Sequence, residues 1–144
     1  MNHYSDMSKE LIEKKLSQIR VLVEQLGEIL ARPFSEFQND LLAIRAAERN
    51  FQLLTDIACD INGQILLEQG KEIPDSYRQS FSDLAKAGFL PKHITHDLIE
   101  SAKLRNILVH EYDFEEDDER FYKSAKKFLP VYQKYLQAIQ KYIS

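Results

Sequence analysis

The sequence has few of the residues that interrupt helices or cross-link chains. Its 144 residues include only four glycines, four prolines and one cysteine, Cys59. Such a composition, rich in residues that favour helices, argues against a turn-rich all-β fold. A single cysteine excludes an internal disulfide and any zinc site built from several cysteines, so no feature indicates an oxidising compartment. We therefore expect an all-α protein of the reducing cytoplasm.

Long apolar runs and an excess of positive charge are also missing. No uninterrupted apolar stretch approaches the roughly 18 residues that a membrane-spanning helix needs, and the N-terminal segment MNHYSDMSKE is too polar for a signal peptide. We expect a soluble protein with no membrane anchor. The formal charge of -4 disfavours a broad electrostatic grip on nucleic acid, which depends on Lys and Arg neutralising phosphates. Any such contact must be local.

Three long segments repeat apolar residues at alternating steps of four and three, which keeps one stripe of a helix against its neighbours. The first predicted helix ends or kinks at Pro33, which lacks a backbone donor. The second has Gly70 placed to cap its C-terminus. The third contains Pro130, which predicts a bend. The stripes cover residues 12–30, 47–65 and 121–142.

Two shorter helices are expected between the second and third stripes. One runs from about Asp75 to Ala87 and is closed by Gly88, and the other begins at Pro91 and runs to about His110. The pair Asn62-Gly63 often marks a turn, but the helical spacing continues through it, so we predict an unbroken second helix. These elements predict a five-helix up-and-down bundle that forms a single domain over residues 1–144.

Arg105 interrupts the apolar pattern of the fourth predicted helix. At about 100° per residue it falls near the middle of the apolar stripe, where a permanently charged guanidinium is expensive to bury unless it is paired or lies in a cleft. Arg105 therefore needs a partner, a ligand or an interface, and a structural ion pair is the commonest explanation for such a residue. The stripe comprises Ile94, Leu98, Ala102, Leu108 and Val109.

Asn106 and His110 are four residues apart and share one face of that helix, whereas Arg105 lies about 140° from His110. One helix cannot aim Arg105 and His110 at a single small target, but a second copy related by a two-fold axis would supply another of each. Metal-free RNA cleavage needs a base, an acid and cationic donors for the phosphoryl oxygens. A paired segment would meet these needs, with Asn106 adding a hydrogen bond or orienting the imidazole.

The segment RNILVHEY, residues 105–112, resembles the Arg-x4–6-His motif of the HEPN superfamily. The tyrosine two positions after the histidine makes it similar to the HepT toxins of MNT–HEPN toxin–antitoxin pairs. The resemblance implies a homodimeric endoribonuclease in a type VII-like pair, without metal or cofactor, that cleaves cellular RNA such as tRNA or mRNA. It implies catalytic roles for Arg105 and His110 and a supporting role for Asn106.

The same resemblance implies a regulatory partner, a minimal nucleotidyltransferase antitoxin of the MntA type, that transfers AMP to Tyr112. Adenylyl groups on the phenol would place bulk and negative phosphate where an RNA phosphate must lie. The alternative function is a non-catalytic helical module that positions a partner nucleotidyltransferase. Helical relatives of that kind generally lack the Arg and His motif, so the intact segment disfavours this alternative.

An acidic run, residues 113–119, follows the motif and would repel an RNA backbone on that side. We interpret it as a loop whose last members lie at the N-terminus of the final helix, where negative charge is favourable. The candidate RNA-binding residues are Lys103, Lys123 and Lys127, although each fits a solvated helix surface equally well. Arg120 and Lys126 could add to the positive potential.

Other polar groups have ordinary structural interpretations. A metal site at His93, His96 and Asp97 is only weakly indicated, because three ligands without further His or Cys partners form a poor site. Cys59 is expected to be a small buried or half-buried residue, and the tyrosines of the last helix are expected to pack in the core. Surface or inter-helix ion pairs are preferred over cleft lining for the polar side of the second helix, which carries Arg45, Glu48, Arg49, Gln52 and Asp56.

Overall fold

A computed structural model describes residues 3–110 and 117–144, with side chains from Ser8 onward. The described residues contain six α-helices and no β-strand, so the all-helical prediction is confirmed. No helix within these ranges combines the length and apolar character needed to cross a membrane. The helices are α1 (His3–Leu30), α2 (Phe34–Phe37), α3 (Leu41–Glu68), α4 (Tyr77–Lys86), α5 (Lys92–His110) and α6 (Asp118–Ile143).

The predicted count of five helices is wrong, because α2 forms an additional single turn between the first two long helices. Pro33, with φ of -56°, precedes this turn and fixes the direction in which the chain leaves α1. Phe37 is fully buried, and its ring centroid lies 5.2 Å from that of Tyr122 on α6. One turn is too short to show a periodic apolar pattern, which is why the sequence did not indicate it.

The two predicted glycine caps are confirmed. Gly70 and Gly88 have φ of +70° and +90°, in the left-handed region that residues with a side chain rarely adopt. After α3, the amide of Lys71 donates a hydrogen bond to the carbonyl of Leu66 at 2.9 Å, which is the closing bond of a Schellman motif. These caps stop α3 and α4 where the apolar periodicity ends.

α3 lies at the centre of the bundle. It runs antiparallel to α1, since Lys15 pairs with Asp60 at 3.3 Å and Asn50 donates to Gln25 at 3.3 Å. It also contacts α4 and α5. The stripe positions predicted from the four-three spacing are buried, except for Tyr142 of α6, which is half-buried. The buried positions are Ile12, Leu16, Ile19, Val23, Leu26 and Leu30 in α1, Ala47, Phe51, Leu54, Ala58, Ile61 and Ile65 in α3, and Phe121, Ala125, Phe128, Tyr132, Tyr135 and Ile139 in α6. The three long amphipathic helices therefore form the core as predicted.

A buried polar network explains why Asn62-Gly63 forms no turn. The side chain of Asn62 is fully buried in the core, where its Nδ2 donates to the Ser80 hydroxyl at 3.0 Å. The Tyr135 hydroxyl shares its single proton between Asn62 Oδ1 at 2.7 Å and the carbonyl of Ala58 at 2.9 Å. Tertiary hydrogen bonds thus hold Asn62 within α3, and the prediction of an unbroken helix is confirmed.

α6 begins as predicted. The carboxylate of Asp117 accepts a hydrogen bond from the amide of Arg120 at 3.0 Å, and Asp118 and Glu119 lie in the first turn. The interpretation of the acidic run as an N-terminal cap is therefore confirmed for its last three residues, while 113–116 lie outside the described residues. α6 continues through Pro130 to Ile143, and the bend at Pro130 stays a prediction.

Candidate active site

α5 carries the described part of the motif. Its buried residues include Ile94, Leu98 and Ala102, as the stripe predicted, together with Leu104, which the stripe omitted. The residues of its last turn, 106–109, are only half-buried, although Leu108 still packs against the core. The C-terminal end of α5 thus leaves the core while its first turns anchor it.

Arg105 has the partner that its place in the apolar stripe required. Its Nε donates to Asp56 Oδ1 on α3 at 2.8 Å, with side-chain exposures of 17% for Arg105 and 30% for Asp56. A guanidinium so far withdrawn from water needs a compensating charge. For Asp56, the preference for an ion pair is confirmed, and the pair joins α3 to α5.

The ring of Tyr77 packs against the same guanidinium. The Arg105 Cζ lies 4.6 Å from the centroid of the Tyr77 ring, within cation–π range. Burial raises the pKa of the Tyr77 phenol to about 12, and the negative charge of Asp56 acts in the same direction. Tyr77 could not be identified from the sequence, because its contact with Arg105 depends on how α4 packs against α5 and no motif links the two residues.

Asn106 also reaches Arg105. Its Oδ1 accepts a hydrogen bond from Arg105 Nη1 at 3.3 Å, a long and therefore weak contact. His110 is the last residue of α5 and is exposed. It makes no hydrogen bond or ion pair with another of the residues that the structure describes. Arg105 and His110 differ by about 140° around the helix and by roughly 7.5 Å along its axis, so one copy of α5 points them in different directions.

A family model described as ribonuclease HepT-like matches residues 19–139, which include α3, α4, α5 and the site just described. The chain belongs to the HepT-like family. A tRNA nuclease HepT from Aphanizomenon flos-aquae is 33% identical over 111 residues, covering 76% of this chain and 71% of the relative. An mRNA nuclease HepT from Shewanella oneidensis is 27% identical over 103 residues, covering 72% of this chain and 77% of the relative.

Solved structures share the fold of this HepT-like chain. A tri-AMPylated Shewanella oneidensis HEPN toxin in complex with MNT antitoxin aligns with a TM-score of 0.82 and 23% identity, over 98% of this chain and 99% of the other. A toxin–antitoxin structure with AMP-PNP aligns with a TM-score of 0.79 and 23% identity, over 96% and 99% of the two chains. The resemblance drawn from RNILVHEY is thereby confirmed for family and fold.

The last two residues of the motif, Glu111 and Tyr112, lie outside the described residues. The role of Tyr112 as the AMP acceptor therefore stays a prediction. Among the described motif residues, the structure brings Arg105 and Asn106 together and places His110 apart, at the exposed helix end.

The three candidate RNA-binding lysines are exposed, and each has a carboxylate partner. Lys103 pairs with Glu100 at 2.9 Å on α5, and Lys123 pairs with Glu119 at 2.8 Å on α6. Lys127 lies 3.5 Å from Asp97 and so links α6 to α5. Lys103 precedes His110 by two helical turns and shares its face. These ion pairs do not test the prediction that the lysines contact RNA.

Asp97, one of the three weakly indicated metal ligands, is engaged in the pair with Lys127. Within 3–110 and 117–144, no group of three or more His, Cys, Asp or Glu side chains is arranged to hold a metal ion. Cys59 is buried, and this burial raises the pKa of its thiol to about 12. Because the thiolate is the nucleophilic form, Cys59 is an inert core residue, as expected.

A groove lies elsewhere on the bundle. It has a volume of about 870 Å³ and runs between α1 and α6, with Arg20, Gly27 and Gln140 among its lining residues. No residue of α5 lines it. The α5 end, with its fixed guanidinium and exposed imidazole, is the better candidate for a reaction that needs charge stabilisation and proton transfer.

Proposed function

We propose that this HepT-like chain is the toxin of a type VII-like pair, a metal-independent endoribonuclease that cleaves cellular RNA, either tRNA or mRNA. The observation that carries the proposal is the end of α5, where Asp56 and Tyr77 hold the Arg105 guanidinium and His110 is exposed one and a half turns later. The relatives named as HepT nucleases support RNA as the substrate class. In this proposal residues 1–144 form one HEPN domain.

In the proposed reaction, His110 removes the proton of an RNA 2′-hydroxyl, and the 2′-oxygen attacks the adjacent phosphorus. A 2′,3′-cyclic phosphate forms, and the leaving 5′-oxygen takes a proton from the His110 of the second copy. Arg105 stabilises the negative charge that builds on the phosphoryl oxygens. Asn106 supports the site by a hydrogen bond to Arg105 or to the substrate.

The proposed active unit is a homodimer. Ile107, Leu108 and Val109 point in different directions around the last turn of α5, and all three remain half-buried. A second α5 packed across a two-fold axis would cover such apolar surface and would place the His110 of one copy near the Arg105 of the other. We expect a dimer in light scattering at micromolar concentration, and a monomer there would contradict the proposal.

The proposed control is the transfer of AMP to Tyr112 by a partner nucleotidyltransferase of the MntA type. Support comes from the fold match to an AMPylated HEPN toxin bound to an MNT antitoxin. After co-expression with the product of the adjacent gene, the intact mass should rise by whole AMP units that map to Tyr112. An unchanged mass, or a label on another residue, would reject this control.

We also assign RNA-backbone contacts to Lys103, Lys123 and Lys127. Each contact to a phosphate should contribute about one unit to the slope of log affinity against log salt concentration. Replacing one of these lysines with Gln in a His110→Ala background should therefore weaken RNA binding and flatten that slope. An unchanged slope would show that the lysine makes no contact with an RNA phosphate and belongs to the solvated surface.

Cleavage of total bacterial RNA in the presence of EDTA tests the catalytic assignment. We expect the wild type to cut RNA and arrest growth, and we expect His110→Ala to do neither. His93→Ala is the matched control, because His93 is also an exposed histidine of α5 but lies at its other end. Equal cutting by wild type and His110→Ala would reject the role of His110, and a wild-type dimer that leaves all RNA intact would favour a non-catalytic binding module.

A further inference from the structure

The Arg105 guanidinium is fixed by a contact close to its stem. Asp56 accepts its hydrogen bond from Nε, the guanidinium nitrogen nearest the side-chain carbons. A free arginine samples many rotamers, and ordering it costs side-chain entropy. An anchor at Nε removes much of that freedom before any ligand binds.

The same geometry leaves the terminal nitrogens largely available. An arginine has five N–H donors. Two of them have partners among the described residues, the Nε–H with Asp56 and one Nη1–H with Asn106. A bidentate carboxylate would occupy two of the guanidinium N–H groups. Asp56 instead leaves three N–H groups for phosphoryl oxygens.

Tyr77 contacts the guanidinium through its ring and is itself tied to the core. Its ring lies against Arg105, and its backbone carbonyl accepts a hydrogen bond from the Ser80 hydroxyl at 2.7 Å. Ser80 in turn accepts from the buried Asn62. The support beneath Arg105 therefore rests on rigid elements of α3 and α4, which is the arrangement that a preorganised site requires.

We propose that Asp56 is a positioning residue for the RNA-cleavage reaction, acting through Arg105, with the Tyr77 ring as the platform on which the guanidinium lies. This inference rests on the proposed function of Arg105. It adds to the site two residues that lie outside the motif, on α3 and at the start of α4.

The first test measures the kinetics with which a purified RNA, one that the wild type cuts, is cleaved. Misplacing a group by about 1 Å can reduce a rate by about a hundredfold, so we expect Asp56→Asn to lower kcat by about ten- to a hundredfold with KM little changed. Asp56→Glu should restore part of the loss because it keeps the charge. The matched control is Asp60→Asn, which removes an exposed carboxylate one turn further along α3 that pairs with Lys15, and its kcat should match the wild type.

A double-mutant cycle tests whether Asp56 acts through Arg105. In an Arg105→Ala background, Asp56→Asn should cause no further loss beyond about twofold. If its effect multiplies with that of Arg105→Ala, Asp56 acts by another route and the proposal is overturned. Higher activity of Asp56→Asn than of the wild type would identify the ion pair as an inhibitory contact and would also overturn it.

Nitrogen-15 NMR of the arginine side chains separates this inference from the proposed function. The Nε–H signal of Arg105, assigned by its loss in Arg105→Lys, should be slow to exchange with solvent in the wild type. We expect exchange to accelerate at least tenfold in Asp56→Asn and to stay unchanged in Asp60→Asn. Intact RNA with the wild type would refute the proposed function, whereas unaltered exchange in Asp56→Asn would refute the positioning role.

Discussion

Removal of the Tyr135 hydroxyl should destabilise the bundle far more than removal of a hydroxyl near the surface. In Tyr135→Phe, Asn62 Oδ1 loses its hydrogen bond while the Asn62 side chain stays fully buried. Every buried side-chain polar atom in the described part of the chain has a partner, so the variant creates an orphan. An unsatisfied buried acceptor lowers the free energy of unfolding by about 1–3 kcal/mol. For a chain of this length, each kcal/mol lowers Tm by roughly 3–4 °C.

Tyr142→Phe on the same helix is the matched control. Its hydroxyl donates to Glu68 at 2.7 Å, but the residue is half-buried and water can replace the lost bond. We expect less than about 0.5 kcal/mol for this change. Both variants are made in a His110→Ala background, so that the proposed toxicity does not limit expression.

Urea unfolding followed by circular dichroism, at one fixed protein concentration, measures the difference. We expect the midpoint of Tyr135→Phe to fall with an unchanged m-value and that of Tyr142→Phe to stay close to the reference. Equal midpoints for the two variants would refute the argument that the bond between Tyr135 and Asn62 compensates the burial of polar groups in the core.

Three further predictions concern particular positions. Gly70→Ala should lower the free energy of unfolding by about 1 kcal/mol because φ is +70° at this position. Gly63→Ala should raise it by up to about 1 kcal/mol, because Gly63 lies inside α3 with open space where the added methyl group would lie. Thermal unfolding that ranks the two variants in the opposite order would contradict this. The Ala43 amide and Arg32 lower the pKa of Asp40 below 3.8. The contribution of Asp40 to stability is therefore present above about pH 4 and is lost as the pH falls through the lowered pKa. Asp40→Asn should flatten an acid titration of stability in that range, and an unchanged titration would refute the link. Cys59 should react with a thiol reagent at least a hundredfold more slowly when folded than in urea, because burial raises its pKa to about 12; rapid labelling of the folded protein would show that the site is open.

Prediction from sequence succeeded where the signal was local or periodic. The stripes of α1, α3 and α6 follow from the four-three spacing, and the caps at Gly70 and Gly88 follow from their backbone preference. It failed at α2, where one turn carries no period. The motif on α5 was found because its residues lie within one short segment, whereas the contact of Tyr77 joins two helices and leaves no pattern in the chain.

The sequence by itself determined the all-helical class, the long helices and the segment at residues 105–112, because apolar periodicity, turn residues and a short motif are properties of neighbouring positions. It also showed that Arg105 needed a partner. Only the tertiary structure decided that the partner is Asp56, that Tyr77 lies beneath the guanidinium, and that Asn62 stays in a helix. Those outcomes depend on which side chains meet when separate helices pack, and such contacts join residues that are far apart in the sequence.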